Sequence, residues 1–290
     1  MFVNMSSSIR RMSLKKLFAV ISLVLMPVCS LAQQAPPRPI QECASQVPWG
    51  WPQIQLPSGT GICRQAYVLL HDNEARIPAW VAYTLSPSHA LGCVTRSNAF
   101  AADASLPDNA RSEPKDFVGT GYDIGHQAPN GDMSWDPKVE RESFILSNMI
   151  PQAPSFNRGI WKLLETSIRS WATDLGHTYT IYVGPIYNSA DRRIGANRVV
   201  VPHGFYKIVV SNTTHQYAGW AFPHQSPYPN LGKDLTKFRA SVASIQTLTG
   251  IQFALPSGGT ELGVGQEWPV NYGKLTLSKR SVCGVAAPQD

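Results

Sequence analysis

The stretch GYDIGHQAPNGDMSW, residues 121–135, carries Asp123, His126 and Asp132 among glycines and a proline, with almost no hydrophobic periodicity. Glycine at position 125 allows the backbone to approach a ligand closely, because glycine has no Cβ. A histidine in a glycine-rich loop is more often a turn residue or a hydrogen-bond prop than a catalyst. Its ordinary pKa of about 6.5 nevertheless lets it accept a proton from water near neutral pH. Two interpretations of His126 are therefore open, a turn residue and a general base.

The chain around this stretch has the length and composition of an ordered globular protein. It has 290 residues, of which 43% are hydrophobic and 15% are charged, enough for one large domain or two small ones. Residues 1–32 combine a basic start with the apolar run LFAVISLVLMPVCSLA and a small-residue site. We therefore predict a signal peptide that is cleaved after Ala32. We predict a flexible leader over residues 33–42 and a single domain over residues 43–290.

The signal peptide predicts export to the periplasm or the medium. The segment IRRMSLKK also resembles a twin-arginine signal, so the export route is left open. No later stretch approaches the roughly 18 to 20 apolar residues of a membrane span, so we expect no membrane contact in the mature form. All four charged residues of the segment are basic, and the formal net charge of +6 therefore falls to +2 in the mature chain. A nucleic-acid partner must then be argued from local sites and not from net charge.

Cysteine usage is consistent with export. Removal of the signal peptide removes Cys29 and leaves four cysteines, an even number that allows three pairings in an oxidising compartment. We favour Cys43 with Cys63, because the segment between them is a Pro/Gly-rich loop that a local disulfide would order. Cys93 would then pair with Cys283. The alternative, a metal site, lacks any C-x-x-C spacing.

Hydrophobic patterns along the chain predict a mixed α+β domain. Apolar or alternating runs predict strands over residues 66–72, 79–86, 143–150, 178–187, 205–211 and 216–223. Residues 87–136 are expected to be a long irregular region, which in a compact domain is uncommon without a function. A helix is predicted from Asn157 to Leu175, ended by Gly176, and a second one over residues 236–250.

The first of these helices carries polar residues beside its apolar stripe. Asn157, Trp161, Glu165 and Arg169 follow one another at intervals of four residues and therefore share one side. One interpretation is an amide and a carboxylate, two turns apart, that both face a cation. The other is a solvated flank with an ion pair between Glu165 and Arg169. The pattern taken alone favours the solvated flank.

Two blocks of sequence resemble the DNA/RNA non-specific endonucleases, a family of the ββα-metal nuclease superfamily. YDIGHQAPNGDM resembles the family's DRGH signature, and LSNMIPQAPSFNRGIWKLLE resembles its second block. The segments WVAYTLS, TRSNAF, GPIY and PHGFYKIVV follow in the family's order, and the likeness covers residues 63–250. The resemblance implies the ββα-metal nuclease fold, with a mixed or antiparallel central sheet flanked by helices.

The resemblance also implies a role for each site residue. His126 would be the general base, Asn157 the direct ligand of one Mg²⁺ or Mn²⁺ ion, and Glu165 a ligand through water that helps to protonate the leaving oxygen. Asn148 would position the histidine region and the substrate, Arg96 would clamp the phosphate, and Asp123 would add a polar group for the substrate. Such a site contacts the phosphate backbone, so the expected partners are both DNA and RNA, without sequence selectivity.

One position departs from the family pattern. Residue 124 is isoleucine where the family carries arginine, so a phosphate-contacting cation is missing from the motif. Arg192, Arg193 and Arg198 could compensate, and a solvated loop is an equally good interpretation of these three. The departure bears on rate and substrate affinity more than on the type of reaction.

Two alternatives to a nuclease have to be compared with it. One is an exported nucleic-acid-binding protein on the same scaffold, catalytically weak because of Ile124. The other is a different class of hydrolase, but no G-x-S-x-G motif is present and the other histidines are scattered singly. A homodimer and an inhibitor protein are both left open.

Overall fold

The computed structural model describes Met1 and residues 39–225 and 232–284. All of them except Met1 belong to one compact unit, residues 36–290. The predicted cleavage site after Ala32 and the first six residues of the predicted leader lie outside the described residues. The last three residues of that leader, 40–42, lie in the 3₁₀ helix Ile40–Gln46.

The described residues form eleven strands and six α-helices. The strands are β1 Gly59–Cys63, β2 Tyr67–Asp72, β3 Ile77–Leu85, β4 Asp123–His126, β5 Met149–Gln152, β6 Tyr179–Ile186, β7 Arg193–Ile194, β8 Val199–Val200, β9 Gly204–Ser211, β10 Gln216–Pro223 and β11 Thr260–Glu261. The helices are α1 Asn130–Met133, α2 Pro137–Ser143, α3 Pro154–Phe156, α4 Lys162–Leu175, α5 Val242–Thr249 and α6 Tyr272–Cys283. A π-helical turn, Asn157–Trp161, joins α3 to α4.

A seven-stranded sheet forms the centre of the domain, in the order β1-β2-β3-β6-β9-β10-β11. Its neighbours are antiparallel except for β10 and β11, which are parallel. Every residue of β6 and β9 is buried, because both faces of the sheet are covered. Side chains alternate between the two faces of a strand, so Phe205 and Val209 pack into one core while Tyr206 and Ile208 pack into the other.

The helix α4 covers the face of the sheet that carries Phe205. Its apolar residues Leu164, Ile168 and Trp171, with Ile160 of the preceding π-helical turn, form a stripe that is buried in the core on that side. The small pair β4–β5 is antiparallel, with Asp123 opposite Gln152 and His126 opposite Met149. Two short strands followed by a helix form the ββα unit that the family resemblance predicts.

Most of the predicted elements are confirmed. The strands expected over residues 66–72, 79–86, 178–187, 205–211 and 216–223 correspond to β2, β3, β6, β9 and β10. The long helix ends at Leu175, and Gly176 follows it in the left-handed conformation with φ of 69°. The region 87–136 is largely irregular, but β4, α1 and two 3₁₀ turns lie within it.

The strand predicted over residues 143–150 is wrong. Ser143 is the last residue of α2, a 3₁₀ turn occupies Leu146–Asn148, and only Met149 and Ile150 belong to a strand. The Asn148 side chain donates hydrogen bonds to the carbonyl oxygens of Ser143 and Ala128, both at 2.9 Å. These bonds hold the segment in a turn despite its apolar composition.

The helix predicted over residues 236–250 is correct only in its second half. Arg239 forms a β-bridge with Trp220, so residues 235–238 are restricted to a 3₁₀ turn. The helix α5 begins after Ser241, whose Oγ accepts a hydrogen bond from the Ser244 amide at 3.1 Å. It ends at Gly250, as predicted. The helix α6 was not predicted, because its sequence has no clear apolar stripe.

Both favoured disulfides are present. Cys43 is bonded to Cys63 with a Cα–Cα distance of 5.7 Å, and Cys93 is bonded to Cys283, 190 residues further along the chain. The second bond ties the end of α6 to the loop that leads to Arg96. Within the described part of the chain, none of the helices has the length and hydrophobicity needed to cross a lipid bilayer.

Candidate active site

An open cavity of about 140 Å³ lies between β4 and the helix that begins at Asn157. It has room for several water molecules. Four of the predicted site residues line it together: Arg96, His126, Asn157 and Glu165. Ile124, Arg158, Lys162 and Arg169 also contribute to its wall. The cavity therefore combines one histidine and one carboxylate with four cationic side chains.

His126 is the last residue of β4 and is 8% exposed. Its ring meets the Phe144 ring edge-on, with 4.9 Å between the centroids and an angle of 85°. Its Nε2 is buried and has no hydrogen-bond partner among the described residues. Burial and, to a smaller extent, the positive charge of Arg96 lower the pKa of His126 to about 3. The imidazole is therefore neutral near pH 7, the form that can accept a proton.

Asn148 holds the chain that follows His126. It is fully buried, and its Oδ1 accepts a hydrogen bond from the Ala128 amide at 2.9 Å while its Nδ2 donates to the Ala128 carbonyl at 2.9 Å. The Gln127 amide donates to the Asn148 carbonyl at 3.0 Å. Asn148 does not line the cavity. Its contacts fit positioning of the histidine segment and not contact with a substrate.

Asn157 lies in the π-helical turn and is oriented by Asp123. Its Nδ2 donates to Asp123 Oδ2 at 2.9 Å, and its backbone amide donates to the Ala153 carbonyl at 2.9 Å. The amide group is thereby fixed with Oδ1 available for another partner. Asp123 itself does not line the cavity. Its carboxylate accepts the hydrogen bond from Asn157, whereas a contact with the substrate was expected from the sequence.

Glu165 lies one turn inside α4 and faces a buried lysine. Its Oε1 is 3.6 Å from the Nζ of Lys207, which is fully buried on β9 and lies 4.3 Å from the centre of the Trp161 ring. Burial raises the pKa of Glu165, and the positive charges of Lys207 and Arg169 oppose that shift. A buried carboxylate with a cationic partner in contact can remain ionised.

Arg169 extends this buried network. Its Nη1 donates to Asp132 Oδ1 at 2.9 Å, and Tyr83 Oη donates to Asp132 Oδ2 at 2.8 Å. Glu165 and Arg169 are both buried, so the solvated-flank interpretation of this side of the helix is wrong. The flank faces the cavity and the sheet.

The predicted phosphate-binding arginines occupy different places. Arg96 is exposed at the cavity, with its guanidinium 4.9 Å above the Phe144 ring and its Nε donating to Asn98 Oδ1 at 2.7 Å. Arg192 lies over the Tyr122 ring at 5.7 Å. Arg193 donates to the carbonyl oxygens of Glu74 and Arg198 at 2.9 and 3.1 Å. Neither Arg192, Arg193 nor Arg198 lines the cavity.

Comparison with known proteins shows the family of the chain. The family described as DNA/RNA non-specific endonuclease matches residues 53–257. The chain belongs to this family. It is 28% identical over 206 residues to the human mitochondrial nuclease EXOG and 30% identical over 211 residues to a nuclease of Syncephalastrum racemosum, in each case over 66% of this chain. The matched regions span 56% and 66% of those two relatives.

Solved structures show the same fold. The chain matches endonuclease G in a crystal structure of its complex with the inhibitor EndoGI, with a TM-score of 0.66 and 27% sequence identity. The match covers 75% of this chain and 94% of that chain. The human mitochondrial endonuclease G is 30% identical over 205 residues. The fold of this family is thus the ββα architecture described above.

The cavity offers oxygen ligands that suit a hard divalent cation. Asn157 contributes an amide oxygen and Glu165 a carboxylate, the ligand types that Mg²⁺ prefers. The described residues contain no cluster of three or more His, Cys, Asp and Glu side chains that could hold a metal. Mg²⁺ commonly keeps several waters and takes few protein ligands, so the pair of residues fits such an ion.

Two neighbours of the site residues were missed from the sequence. Lys207 is an isolated charge in the apolar strand FYKIVVS, and a lysine in a strand buried on both faces is a signal that could have been used. Arg158 follows Asn157 directly and lines the cavity, but the helical spacing gave no reason to single it out. Asp132 and Arg169 were both noted in the sequence, but no local pattern indicated that they form an ion pair.

Proposed function

We propose that the protein is a metal-dependent endonuclease that hydrolyses the phosphodiester bonds of DNA and RNA without sequence specificity. One observation carries the proposal. A neutral histidine, His126, lines the same cavity as the Asn157 amide and the Glu165 carboxylate, in a wall rich in cationic side chains. Membership of the endonuclease family supports the same reaction.

In the proposed reaction His126 takes a proton from a water molecule, and the resulting hydroxide oxygen attacks the phosphorus atom. The bond between phosphorus and the leaving oxygen breaks, and that oxygen must then gain a proton. Glu165 lies in the same cavity and is placed to hold a water molecule that donates this proton; the hydroxide left behind is neutralised by the proton that His126 took up. A Mg²⁺ or Mn²⁺ ion held by Asn157, and by Glu165 through water, would neutralise charge that develops on the phosphoryl oxygens.

The proposed lack of specificity follows from the type of side chain in the cavity. Arginine and lysine contact phosphate oxygens, which are the same for every base and for DNA and RNA. Arg96 and Lys162 are both exposed at the cavity and can meet the backbone of a bound strand. Asn148 and Asp123 are proposed as positioning residues for His126 and Asn157.

The test is cleavage of a plasmid and of a structured RNA by the purified protein, with Mg²⁺ and with EDTA. We expect cleavage of both in Mg²⁺ and none in EDTA. The His126→Ala variant should lose at least about 10²-fold in rate, the usual contribution of a general base. His215→Ala is the matched control, because His215 is exposed and does not line the cavity.

Two outcomes would contradict the proposal. Undiminished cleavage in EDTA would exclude the metal, and a His126→Ala rate above half of the wild-type rate would exclude the base. Tight nucleic-acid binding without cleavage would instead favour the alternative of a catalytically weak binding protein, for which the apolar Ile124 in the cavity wall is the supporting observation.

We further propose that the protein is exported, as its signal-like segment predicts. Two disulfides support this, because disulfides persist in oxidising compartments. The related endonuclease G is bound by an inhibitor in its crystal structure. By analogy we propose that an inhibitor protein can act on this chain. The homodimer stays a prediction.

A further inference from the structure

Arg158 places a cationic side chain at the cavity directly after Asn157. Its side chain is 72% exposed, and it lines the same cavity as His126 and Ile124. Ile124 is half-buried against the core and offers no hydrogen-bond donor. The wall near β4 is therefore apolar at position 124 and cationic at Arg158.

Asp123 fixes the direction of the Arg158 guanidinium. Arg158 Nε donates to Asp123 Oδ2 at 2.9 Å, and Arg158 Nη2 donates to Asp123 Oδ1 at 2.6 Å. The same Oδ2 accepts the hydrogen bond from Asn157 at 2.9 Å. One carboxylate therefore holds both the proposed metal ligand and the arginine, and it does so from the strand that ends in His126.

The pairing with Asp123 leaves one edge of the guanidinium unused. A guanidinium has five N–H donors, and Asp123 takes the Nε–H and one N–H of Nη2. The opposite edge carries parallel N–H groups on Nη1 and Nη2, the arrangement that meets two oxygens of a phosphate. In the described part of the chain the Arg158 side chain forms no further hydrogen bond.

We propose that Arg158 binds a phosphate of the nucleic-acid backbone through this free edge, on the side of the cavity where Ile124 offers no donor. The inference rests on the proposed function and adds a substrate-binding residue to it. Asp123 holds the guanidinium in place before the nucleic acid binds. The Arg158 side chain therefore loses less conformational freedom on binding.

The test measures the affinity for a fluorescein-labelled DNA duplex of about 20 base pairs by anisotropy, as a function of KCl concentration in Mg²⁺. The background is His126→Ala, so that the duplex stays intact. Loss of one phosphate contact reduces the slope of log affinity against log salt by about 0.9 on duplex DNA. We expect this reduction, together with weaker binding, in Arg158→Ala.

Two further variants make the comparison specific. Arg141→Ala removes the same charge from an exposed site on α2 that does not line the cavity, and it should leave the slope unchanged. Ile124→Arg added to Arg158→Ala should restore the lost slope, because it returns a donor to the same part of the wall. An unchanged slope in a stably folded Arg158→Ala would overturn the inference.

A variant that fails to fold is replaced by Arg158→Gln, which keeps a donor for Asp123 but carries no charge. An unchanged slope in Arg158→Gln would overturn the inference in the same way. If the background protein does not bind the duplex at low salt, the proposed function fails and the inference fails with it. If the His126→Ala protein binds the duplex and the salt dependence of its affinity does not change when Arg158 is replaced, only the inference fails.

Discussion

Burial sets the protonation state of His126. The ring packs against Phe144, and burial lowers its pKa to about 3, with Arg96 acting in the same direction. In the unfolded chain the same side chain has a pKa of about 6.5. Between these two values the unfolded chain binds a proton that the folded protein excludes, so acidification favours unfolding.

This difference in the pKa of His126 between the folded and unfolded states makes the free energy of unfolding depend on pH. The contribution of His126 is complete above about pH 6.5 and is lost as the pH falls towards about 3, by up to about 1.4 kcal/mol for each pH unit. We expect the free energy of unfolding in urea to fall less steeply over this range in His126→Asn than in the wild type. Parallel pH profiles of the two proteins would contradict the assignment.

Close packing between β4 and β5 determines where the histidine stands. A Cβ added at Gly125 would lie 2.1 Å from Oε1 and 2.5 Å from Cγ of Gln152, and the Gln152 side chain is fully buried. Because it is fully buried, the Gln152 side chain would have to displace other protein atoms to make room. Glycine at position 125 is therefore required by the pairing of the two strands.

The substitution Gly125→Ala should force β4 and β5 apart. We expect a loss of about 1 to 3 kcal/mol in the free energy of unfolding, the usual effect of overpacking, and a lower cleavage rate because His126 moves. Gly273→Ala in α6 is the control. Its added Cβ would meet only Asn271 Oδ1 at 3.7 Å, so it should be neutral or stabilising by up to about 1 kcal/mol. Equal stability of the two variants in urea would refute the packing argument.

The disulfides act on the molecule as a whole. Cys283 ends α6, which packs on α4 through the hydrogen bond from the Asn271 amide to Ser170 Oγ at 2.7 Å. Its bond to Cys93 connects residues 190 positions apart, whereas Cys43 and Cys63 are 20 positions apart. A longer loop removes more conformational entropy from the unfolded chain.

Replacement of Cys93 and Cys283 by serine should therefore destabilise the protein by about 2 to 5 kcal/mol, and more than the same change at Cys43 and Cys63. Urea unfolding of both double variants checks the order. If the protein is exported, the wild type recovered from the periplasm or the medium should show no reactive thiol before reduction. A free thiol in that protein, or a larger effect at the shorter loop, would contradict this account.

The sequence by itself determined the elements whose cause is local. Apolar alternation predicts β2, β3 and β10, and the stripe from Ile160 to Trp171 predicts the long helix, because burial on one face imposes the period of the element. Helical spacing also predicts that Asn157 and Glu165 lie on the same side of that helix. The motif around His126 and the resemblance to a nuclease family identified four residues that line the cavity: Arg96, His126, Asn157 and Glu165.

Only the tertiary structure decided which distant residues meet. Sheet order brings Lys207 of β9 against Glu165 of α4, and no local pattern contains that pairing. Hydrogen bonds of Asn148 made a turn where apolar composition predicted a strand. The same packing left Arg192 and Arg193 outside the cavity and put Arg158 inside it. Spacing along the chain sets which side chains share a face, whereas contacts between faces depend on how the buried surfaces fit together.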